Sequence, residues 1–374
     1  MSYAFDTVLD RRQSSSSKWQ KFPPEVLPMW VADMDFAAPG FILDALRERL
    51  DHPILGYTLK PASLQEAFMT WLSHHYGWQV EEEWIVWLPG VVPGLNLTAQ
   101  CLTEGALMIP TPVYHPFLDL ARHAGLAEQR VPMAVDAGTW CMDIDAMEDQ
   151  VDASTRMVMI CNPQNPTGRC YRREELEALA AFCERHDLLL VSDEIHCSIV
   201  LHEGSEHLPV AHAFPEIAQR TVSLFSATKA YNIPGISCAA AVIPDPHLRE
   251  RFVAARRGVV PGIGPLGFVV SETAFRDRGS YLPELRQYLR GNLAYLQQEL
   301  DTRLAPLEAT YLAWIDVRDL ALENTEAYFA GHGLGISPGA QFGEPGFIRL
   351  NFGCPRPTLE EGVRRLQAGI AAAG

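Results

Sequence analysis

The chain has 374 residues, a formal net charge of −16 and a sequence pI near 5.2. Hydrophobic residues make up 48% and charged residues 20%, which is an ordinary globular composition and excludes extensive disorder. An acidic surface repels phosphate groups, so a nucleic-acid partner is not expected. The eight cysteines stand singly without the spacing of a zinc site, which predicts free thiols in a reducing compartment and no metal.

The N-terminal segment, residues 1–21, mixes acidic and basic residues with a short serine run. It lacks an apolar core, so we do not expect a secretory signal peptide there. No segment approaches the length and hydrophobicity of a membrane span. These features favour a cytoplasmic protein without a membrane partner.

Helical and strand patterns alternate from about residue 41 to residue 243. The predicted helices are 41–50, 64–76, 116–123 and 173–186, with a further helix after Pro89-Gly90, and the predicted strands are 84–88, 106–109, 157–160, 188–191, 222–225 and 239–243. The strands are short apolar runs without polar alternation, as in strands buried on both faces. We therefore predict an α/β fold with a mostly parallel central sheet and helices on both faces.

The pattern changes after about residue 280. A long amphipathic helix, 281–304, precedes a strand at 347–352 and a closing helix at 359–372. This change predicts a smaller C-terminal α+β domain over 281–374, after a large α/β domain over 41–280. Residues 1–40 are predicted to form an arm that joins the small domain.

Lysine is rare in this chain, and one lysine has an unusual context. The four lysines are Lys18, Lys21, Lys60 and Lys229. Lys229 follows the predicted strand 222–225 among small and apolar residues. A partly desolvated lysine amine can form a Schiff base, which an arginine cannot. A loop lysine at the sheet edge is the alternative, and the context alone leaves both open.

Two polar motifs follow predicted strands. The segment 161–168 contains two Asn-Pro steps and then glycine, which predicts a rigid turn at the carboxyl end of a strand. Ligands bind at such strand ends in open α/β sheets. Asp193 and Glu194 end a strongly apolar strand, where a carboxylate needs a cationic or hydrogen-bonded partner. A helix cap or a structural ion pair is the alternative for these acids.

These motifs together resemble a known family. Asn-Pro-x-Asn-Pro-Thr-Gly at 162–168, Ser-Asp-Glu-Ile-His at 192–196 and Ser-x-Thr-Lys at 226–229 are similar, in this order, to fold-type I pyridoxal-5′-phosphate (PLP) enzymes of the aminotransferase class I/II family. More narrowly, the chain resembles the cystathionine β-lyase (C–S lyase) branch, in the segments 30–36, 56–58, 310–314 and 347–356. The resemblance spans nearly the whole chain and implies a PLP cofactor, an amino-acid substrate and a homodimer with active sites at the interface.

The resemblance also implies the roles of individual residues. Lys229 would hold PLP as a Schiff base and then exchange protons at the substrate Cα. Asp193 would keep the pyridine nitrogen protonated, so that the ring can act as an electron sink. The other implied cofactor contacts are Asn165 and His196 at the ring 3′-oxygen, Tyr114 stacked on the ring, Ser226 and the backbone of Gly90, Val91 and Val92 at the phosphate, and Tyr57 reaching the phosphate of the partner subunit.

Arg349 lies in the predicted strand 347–352, where alternation places it on one face with Phe347 and Asn351. An arginine on a strand face can bind a carboxylate through two parallel hydrogen bonds. The resemblance implies that Arg349 binds the substrate α-carboxylate and that Ala32 also contacts the substrate. A surface salt bridge is the alternative for Arg349.

Two positions differ from many aminotransferases. His196 stands where many of them have tyrosine, and Ser237 stands where many have an arginine that binds the phosphate. Both differences point away from a standard dicarboxylate aminotransferase.

The resemblance implies α,β-elimination from a sulfur amino acid such as L-cystathionine or cysteine, as in methionine biosynthesis. Lys229 or Tyr57 would protonate the departing sulfur, and a thiol such as homocysteine, pyruvate and ammonia would be released. Transamination is the first alternative, because it shares the early steps and no single residue separates the two reactions. A PLP-fold regulatory protein that binds a partner is the second, although the chain has no basic DNA-binding segment.

Overall fold

A seven-stranded sheet lies at the centre of the protein, in a computed structural model that describes residues 3–256 and 258–373. The strands are β1 (Leu27–Pro28), β2 (Ile85–Leu88), β3 (Ala106–Thr111), β4 (Ala127–Pro132), β5 (Ala134–Asp136), β6 (Thr139–Cys141), β7 (Thr155–Cys161), β8 (Leu189–Asp193), β9 (Thr221–Phe225), β10 (Ala239–Val242), β11 (Leu312–Asp316), β12 (Leu334–Gly335), β13 (Ser337–Pro338) and β14 (Phe347–Asn351). The helices are α1 (Ser17–Gln20), α2 (Gly40–Asp51), α3 (Ala62–Tyr76), α4 (Val91–Ala99), α5 (Phe117–Ala124), α6 (Ile144–Gln150), α7 (Arg173–Arg185), α8 (Val210–Ala213), α9 (Pro246–Ala255), α10 (Pro265–Arg276), α11 (Tyr281–Leu300), α12 (Thr325–Gly331) and α13 (Arg356–Ala373).

The central sheet is mostly parallel, as predicted. Its strand order is β2-β10-β9-β8-β7-β3-β4, and only β10 runs against the others. Parallel neighbours need crossover connections, which here contain helices such as α5 and α7. The carboxyl ends of the parallel strands therefore share one edge of the sheet, where ligands bind in folds of this class.

Both faces of the sheet are covered, which explains why its strands lack polar alternation. In β7, Met157 and Met159 pack into one hydrophobic cluster while Val158 and Ile160 pack into another. Successive side chains of a strand point to opposite faces, so each face of β7 must be apolar. The predicted α/β architecture with helices on both faces is confirmed.

Helix α4 packs very closely on the sheet. A Cβ atom at Gly94 would lie 2.9 Å from a methyl carbon of Leu224 in β9. Glycine is needed because any side chain would push the helix outward. The close packing brings the first turn of α4, which begins at Val91, to the same edge as the ends of β8 and β9.

A second, three-stranded antiparallel sheet follows α11, in the order β11-β14-β13. The N-terminal strand β1 pairs with β12, so the arm contacts this C-terminal part of the chain. Helix α11 ends at Leu300, before the predicted end at residue 304, and a short 3₁₀ turn follows. The division into domains at residues 40 and 280 stays a prediction.

The eight cysteines are unpaired and seven of them are buried, which confirms the expected free thiols. In the part of the chain that the structure describes, no helix combines the length and apolar character needed to cross a membrane.

Candidate active site

A cavity of about 230 Å³ opens at the carboxyl ends of β8 and β9, beside the first turn of α4. Ten of the twelve residues predicted for the site line it, namely Ala32, Gly90, Val91, Val92, Tyr114, Asn165, Asp193, His196, Ser226 and Lys229. Arg349 and Tyr57 do not line it. The site is thus assembled from segments that lie far apart in the sequence.

Lys229 projects from the loop after β9, an interior strand between β10 and β8. Lys229 thus lies in a loop at the carboxyl edge of the sheet and not beside one of its two outer strands. Its Nζ donates a 2.6 Å hydrogen bond to the carbonyl oxygen of Ala32. Burial, helped by the nearby positive charge of Arg349, lowers the pKa of Lys229 to about 8. The lower pKa increases the neutral, nucleophilic fraction of the amine near physiological pH.

Asp193 ends β8 with its side chain buried against the cavity. Its Oδ1 accepts a 3.1 Å hydrogen bond from the backbone N–H of Ile195, and no cation of the described chain lies within ion-pair distance. Burial raises the pKa of Asp193 to about 7. The neighbouring acid Glu194 does have a side-chain partner, because its carboxylate lies 2.8 Å from Nε2 of buried His207. Asp193 is thus a buried acid facing a cavity, where a cationic ligand group would stabilise its charge.

Arg349 is only 3% exposed, so the alternative of a surface salt bridge is wrong. It donates from Nη1 to Oδ1 of Asn165 at 2.8 Å and from Nη2 to the carbonyl oxygen of Trp30 at 2.9 Å. The guanidinium carbon lies 4.6 Å from the ring centre of Phe342. Burial lowers the pKa of Arg349 to about 10. Among the described residues no carboxylate pairs with this cation and its Nε has no partner, which suits a site for an anionic ligand.

Asn165 connects Arg349 to the cavity through the Asn-Pro turn. Oε1 of Gln164 accepts hydrogen bonds from the N–H and the hydroxyl of Thr167, at 2.9 and 2.7 Å, and so braces the turn. Gly168 has φ +73°, and a Cβ there would lie 2.5 Å from Cγ of Leu307, so glycine is required. Because Arg349 occupies Oδ1 of Asn165, the amide hydrogens of Asn165 remain for a ligand in the cavity.

One end of the cavity presents neutral hydrogen-bond donors. The first N–H groups of α4, from Val91 onward, lack partners within the helix and favour an anion. The Thr228 hydroxyl lies 2.9 Å from that of Ser226, whose own hydrogen is donated to the carbonyl oxygen of Cys238, so Ser226 can offer a ligand only its oxygen lone pairs. Thr228 and Ser237 also line the cavity. Thr228 was not among the predicted site residues, although its position directly before Lys229 could have indicated that it lines the cavity.

His196 and Tyr114 complete the lining described above. His196 is 1% exposed, its Nδ1 has no hydrogen-bond partner in the described chain, and burial lowers its pKa well below the usual value. A neutral imidazole with a free nitrogen is suited to a hydrogen bond with a ligand. Tyr114 has a raised pKa because of burial, so its phenol stays protonated.

Tyr57 is fully exposed and lies outside the cavity of its own chain. Its neighbours Ile54, Leu55 and Leu59 are also largely exposed, with exposed fractions of 65%, 57% and 89%. Within one chain, the structure therefore does not bring Tyr57 together with the other predicted site residues. A run of exposed apolar side chains is typical of a surface that another protein covers.

The sequence that forms this fold and this cavity is matched by a family model. Residues 31–366 match the family "Aminotransferase class I and II", and the chain belongs to that family.

Individual relatives are similar over the whole length of the chain. Cystathionine beta-lyase PatB of Bacillus subtilis is 34% identical over 98% of this chain and 100% of its own. The crystal structure of a protein named OvoB is 39% identical, covers 99% of this chain and 100% of its own, and superimposes with a TM-score of 0.96. The PLP-bound C-S lyase of Staphylococcus hominis is 30% identical, with 99% and 98% covered and a TM-score of 0.92.

Proposed function

We propose that this protein is a PLP-dependent carbon–sulfur β-lyase. The proposed reaction is α,β-elimination from L-cystathionine, cysteine or a related S-substituted cysteine, giving a thiol such as homocysteine, pyruvate and ammonia. The observation that carries the proposal is one cavity bordered by an amine of lowered pKa and a buried acid, with a buried arginine nearby, where neither the acid nor the arginine has an ionic partner among the described residues. Similarity to a cystathionine β-lyase and to a PLP-bound C–S lyase supports this reaction class. Unpaired cysteines suit a cytoplasmic location.

The residues around the cavity fit PLP. Lys229 offers the amine for a Schiff base, Asp193 a carboxylate for a protonated pyridine nitrogen, and the start of α4 offers N–H groups for a phosphate. Within the part of the chain that the structure describes, a buried ring nitrogen of His196 has no partner and the amide hydrogens of Asn165 are not used. When bound, PLP supplies a ring that takes up the electron pair left at Cα after proton removal.

In the proposed reaction Lys229 takes the proton from the substrate Cα once its amine is free. Its lowered pKa suits this step, because general bases work best with a pKa near the operating pH. Arg349 holds the substrate α-carboxylate, and Asn165 and the Trp30 carbonyl keep the guanidinium in place. Lys229, or Tyr57 of a second subunit, then gives a proton to the departing sulfur.

Replacing Arg349 tests the carboxylate site. We expect Arg349→Met to lower kcat/KM for L-cystathionine by about 10²- to 10³-fold, since each lost charge-assisted hydrogen bond is worth about 1.5–3 kcal/mol. Most of the loss should be in KM. Steady-state kinetics measure it, and Arg364→Met, on the exposed side of α13, is the control. An unchanged KM in the Arg349 variant would contradict the proposal that Arg349 binds the substrate carboxylate.

The exposed position of Tyr57 favours a homodimer with shared active sites. We propose that a second copy covers the segment around Ile54 to Leu59 and receives Tyr57 at the phosphate end of its cavity. Each site would then combine Lys229 of one chain with Tyr57 of the other.

Shared sites predict complementation between two inactive variants. Co-expressed Lys229→Ala and Tyr57→Ala chains should recover about a quarter of the wild-type activity, because half the dimers are hybrids and each hybrid has one intact site. Differently tagged chains allow the hybrid to be purified and assayed. If the purified hybrid is as inactive as its two parents, Tyr57 does not act across a dimer interface.

The reaction class is tested by one assay on the PLP-loaded protein. With L-cystathionine we expect pyruvate and free thiol to appear in equal amounts. A transaminase would instead bleach its visible cofactor band with amino donors, recover it with keto acids and release no pyruvate. That second result would overturn the lyase proposal and leave the family assignment intact.

A further inference from the structure

The backbone of residues 30–34 accepts hydrogen bonds from both cations of the site. The carbonyl oxygen of Ala32 accepts from Nζ of Lys229 at 2.6 Å, and the carbonyl oxygen of Trp30 accepts from Nη2 of Arg349 at 2.9 Å. We call residues 30–34 the carbonyl segment. The positions of the lysine and the arginine are therefore both linked to one short stretch of backbone.

Further hydrogen bonds fix the carbonyl segment to the rest of the protein. Nδ2 of Asn351 donates to the carbonyl oxygens of Val31 and Asp33, both at 2.6 Å. The hydroxyl of buried Tyr311 donates to the carbonyl oxygen of Ala32 at 3.1 Å. The oxygen that accepts from Lys229 is thus held by a second donor.

A network of ion pairs in the N-terminal arm, with Lys18 and Asp35 buried and Arg11 and Asp33 partly buried, also contacts this segment. Lys18 is only 1% exposed, and its Nζ donates to Oδ2 of Asp35 at 2.7 Å and to the carbonyl oxygen of Asp33 at 3.0 Å. Arg11 donates to Oδ1 of Asp35 at 2.6 Å and to Oδ2 of Asp33 at 2.8 Å. Burying a lysine is costly even when it is paired, so such a network is weak evidence for a purely stabilising role.

We propose that Lys18 and Asp35 are positioning residues for the reaction, and that the Ala32 carbonyl holds the Lys229 amine whenever that amine is not bonded to the cofactor. The inference rests on the proposed function only in that Lys229 binds PLP. The ion network fixes the position of the carbonyl segment. The segment in turn fixes the position of the free Lys229 amine and the orientation of the Arg349 guanidinium. A small displacement of these groups lowers the reaction rate, because reacting groups must be held close to the productive geometry.

The first test compares two lysines of the same arm. Lys18→Met removes the buried partner of Asp35, whereas Lys21→Met removes a lysine that pairs with Glu326 and lies over the Trp30 ring but makes no hydrogen bond to the backbone of the carbonyl segment. PLP is removed from each protein, and its recombination with Lys229 is followed by the return of visible absorption. We expect recombination in Lys18→Met to be at least about tenfold slower than in Lys21→Met. With L-cystathionine, kcat should fall and KM should rise together.

A second pair of variants decides the question if Lys18→Met fails to fold. Arg11→Met weakens the same network while leaving Lys18 paired with Asp35, and Arg12→Met changes an exposed neighbour that contacts Asp10. Slower recombination in Arg11→Met than in Arg12→Met supports the proposal.

The proposal is overturned if the folded network variants recombine with PLP within about twofold of their controls, even if they melt at lower temperature. The network would then contribute to the stability of the folded protein and not to the position of Lys229. Recombination with PLP does not depend on which amino acid is cleaved. A failure of the lyase proposal would therefore appear in the cystathionine assay and leave the recombination comparison interpretable.

Discussion

Lys229→Ala should lower the rate of pyruvate release from L-cystathionine by at least about 10³-fold. The variant loses the amine that bonds to the cofactor and also the base for the substrate Cα. Added PLP should still bind in the cavity through its other contacts, but without the visible absorption of a Schiff base. The fold should persist, because the Lys229 side chain makes a hydrogen bond to Ala32 and no ion pair within the described residues.

The matched control is Lys21→Ala, which removes an exposed lysine of the N-terminal arm. It should retain wild-type activity and the wild-type spectrum. If Lys229→Ala instead kept substantial turnover and a visible cofactor band, the cofactor would be held by another amine and the site assignment would fail.

Asp193→Asn should lower kcat by about 10²- to 10³-fold, the usual cost of removing one group that stabilises charge in the transition state. An amide in place of the carboxylate cannot keep a pyridine nitrogen protonated, so the ring becomes a poorer electron sink. We expect PLP still to bind through Lys229. Single-turnover kinetics with L-cystathionine measure the chemical step, and the cofactor spectrum shows whether PLP is still bound. Together they distinguish a slower chemical step from weaker cofactor binding.

The same substitution should stabilise the cofactor-free protein at high pH. Burial raises the pKa of Asp193 to about 7, whereas the unfolded value is about 3.9. Well below pH 4 the carboxyl is protonated in both the folded and the unfolded state, and it does not contribute to the pH dependence of stability. As the pH rises from 4 to 7 it ionises first in the unfolded state, so the folded state loses up to about 4 kcal/mol of stability.

Asp193→Asn removes that pH-dependent penalty. Melting temperatures of the cofactor-free variant and wild type should therefore differ clearly at pH 8, with the variant higher, and the difference should shrink or reverse toward pH 4. Asp145→Asn, an exposed aspartate at the start of α6, is the control and should change little. Equal or lower melting temperature for Asp193→Asn at pH 8 would mean that the carboxylate is stabilised in the cofactor-free protein.

Most of the central sheet could be predicted from local pattern. The strands β7, β8 and β9 are short, apolar and buried on both faces, and their predicted ranges differ from the observed ones by only a few residues. The reversed direction of β10 was not predicted, because direction depends on pairing with β2 and β9 rather than on local sequence. The end of α11 was placed too late, since helix ends depend on local capping and packing.

Part of the site was also readable from residue type and spacing. Asp193 ends β8, while Asn165 and Lys229 lie in the loops after β7 and β9, and parallel topology brings the ends of these three strands to the same edge of the sheet. The alternative of a surface salt bridge for Arg349 could be rejected only in the structure, which shows that Arg349 is buried. The interior position of β9, the strand before Lys229, was likewise visible only in the sheet order.

The sequence by itself determined the alternation of apolar strands and helices, the family resemblance and the residues able to carry Schiff-base and carboxylate chemistry. Only the tertiary structure decided that the Ala32 carbonyl accepts from Lys229, that Arg349 is bonded to the cavity residue Asn165, and that Lys18 donates to Asp35 and to the carbonyl oxygen of Asp33. The physical reason is the separation along the sequence over which each interaction acts. Periodicity and residue chemistry are local, whereas burial, ion pairing and pKa shifts arise between residues that are distant in sequence and become neighbours only on folding.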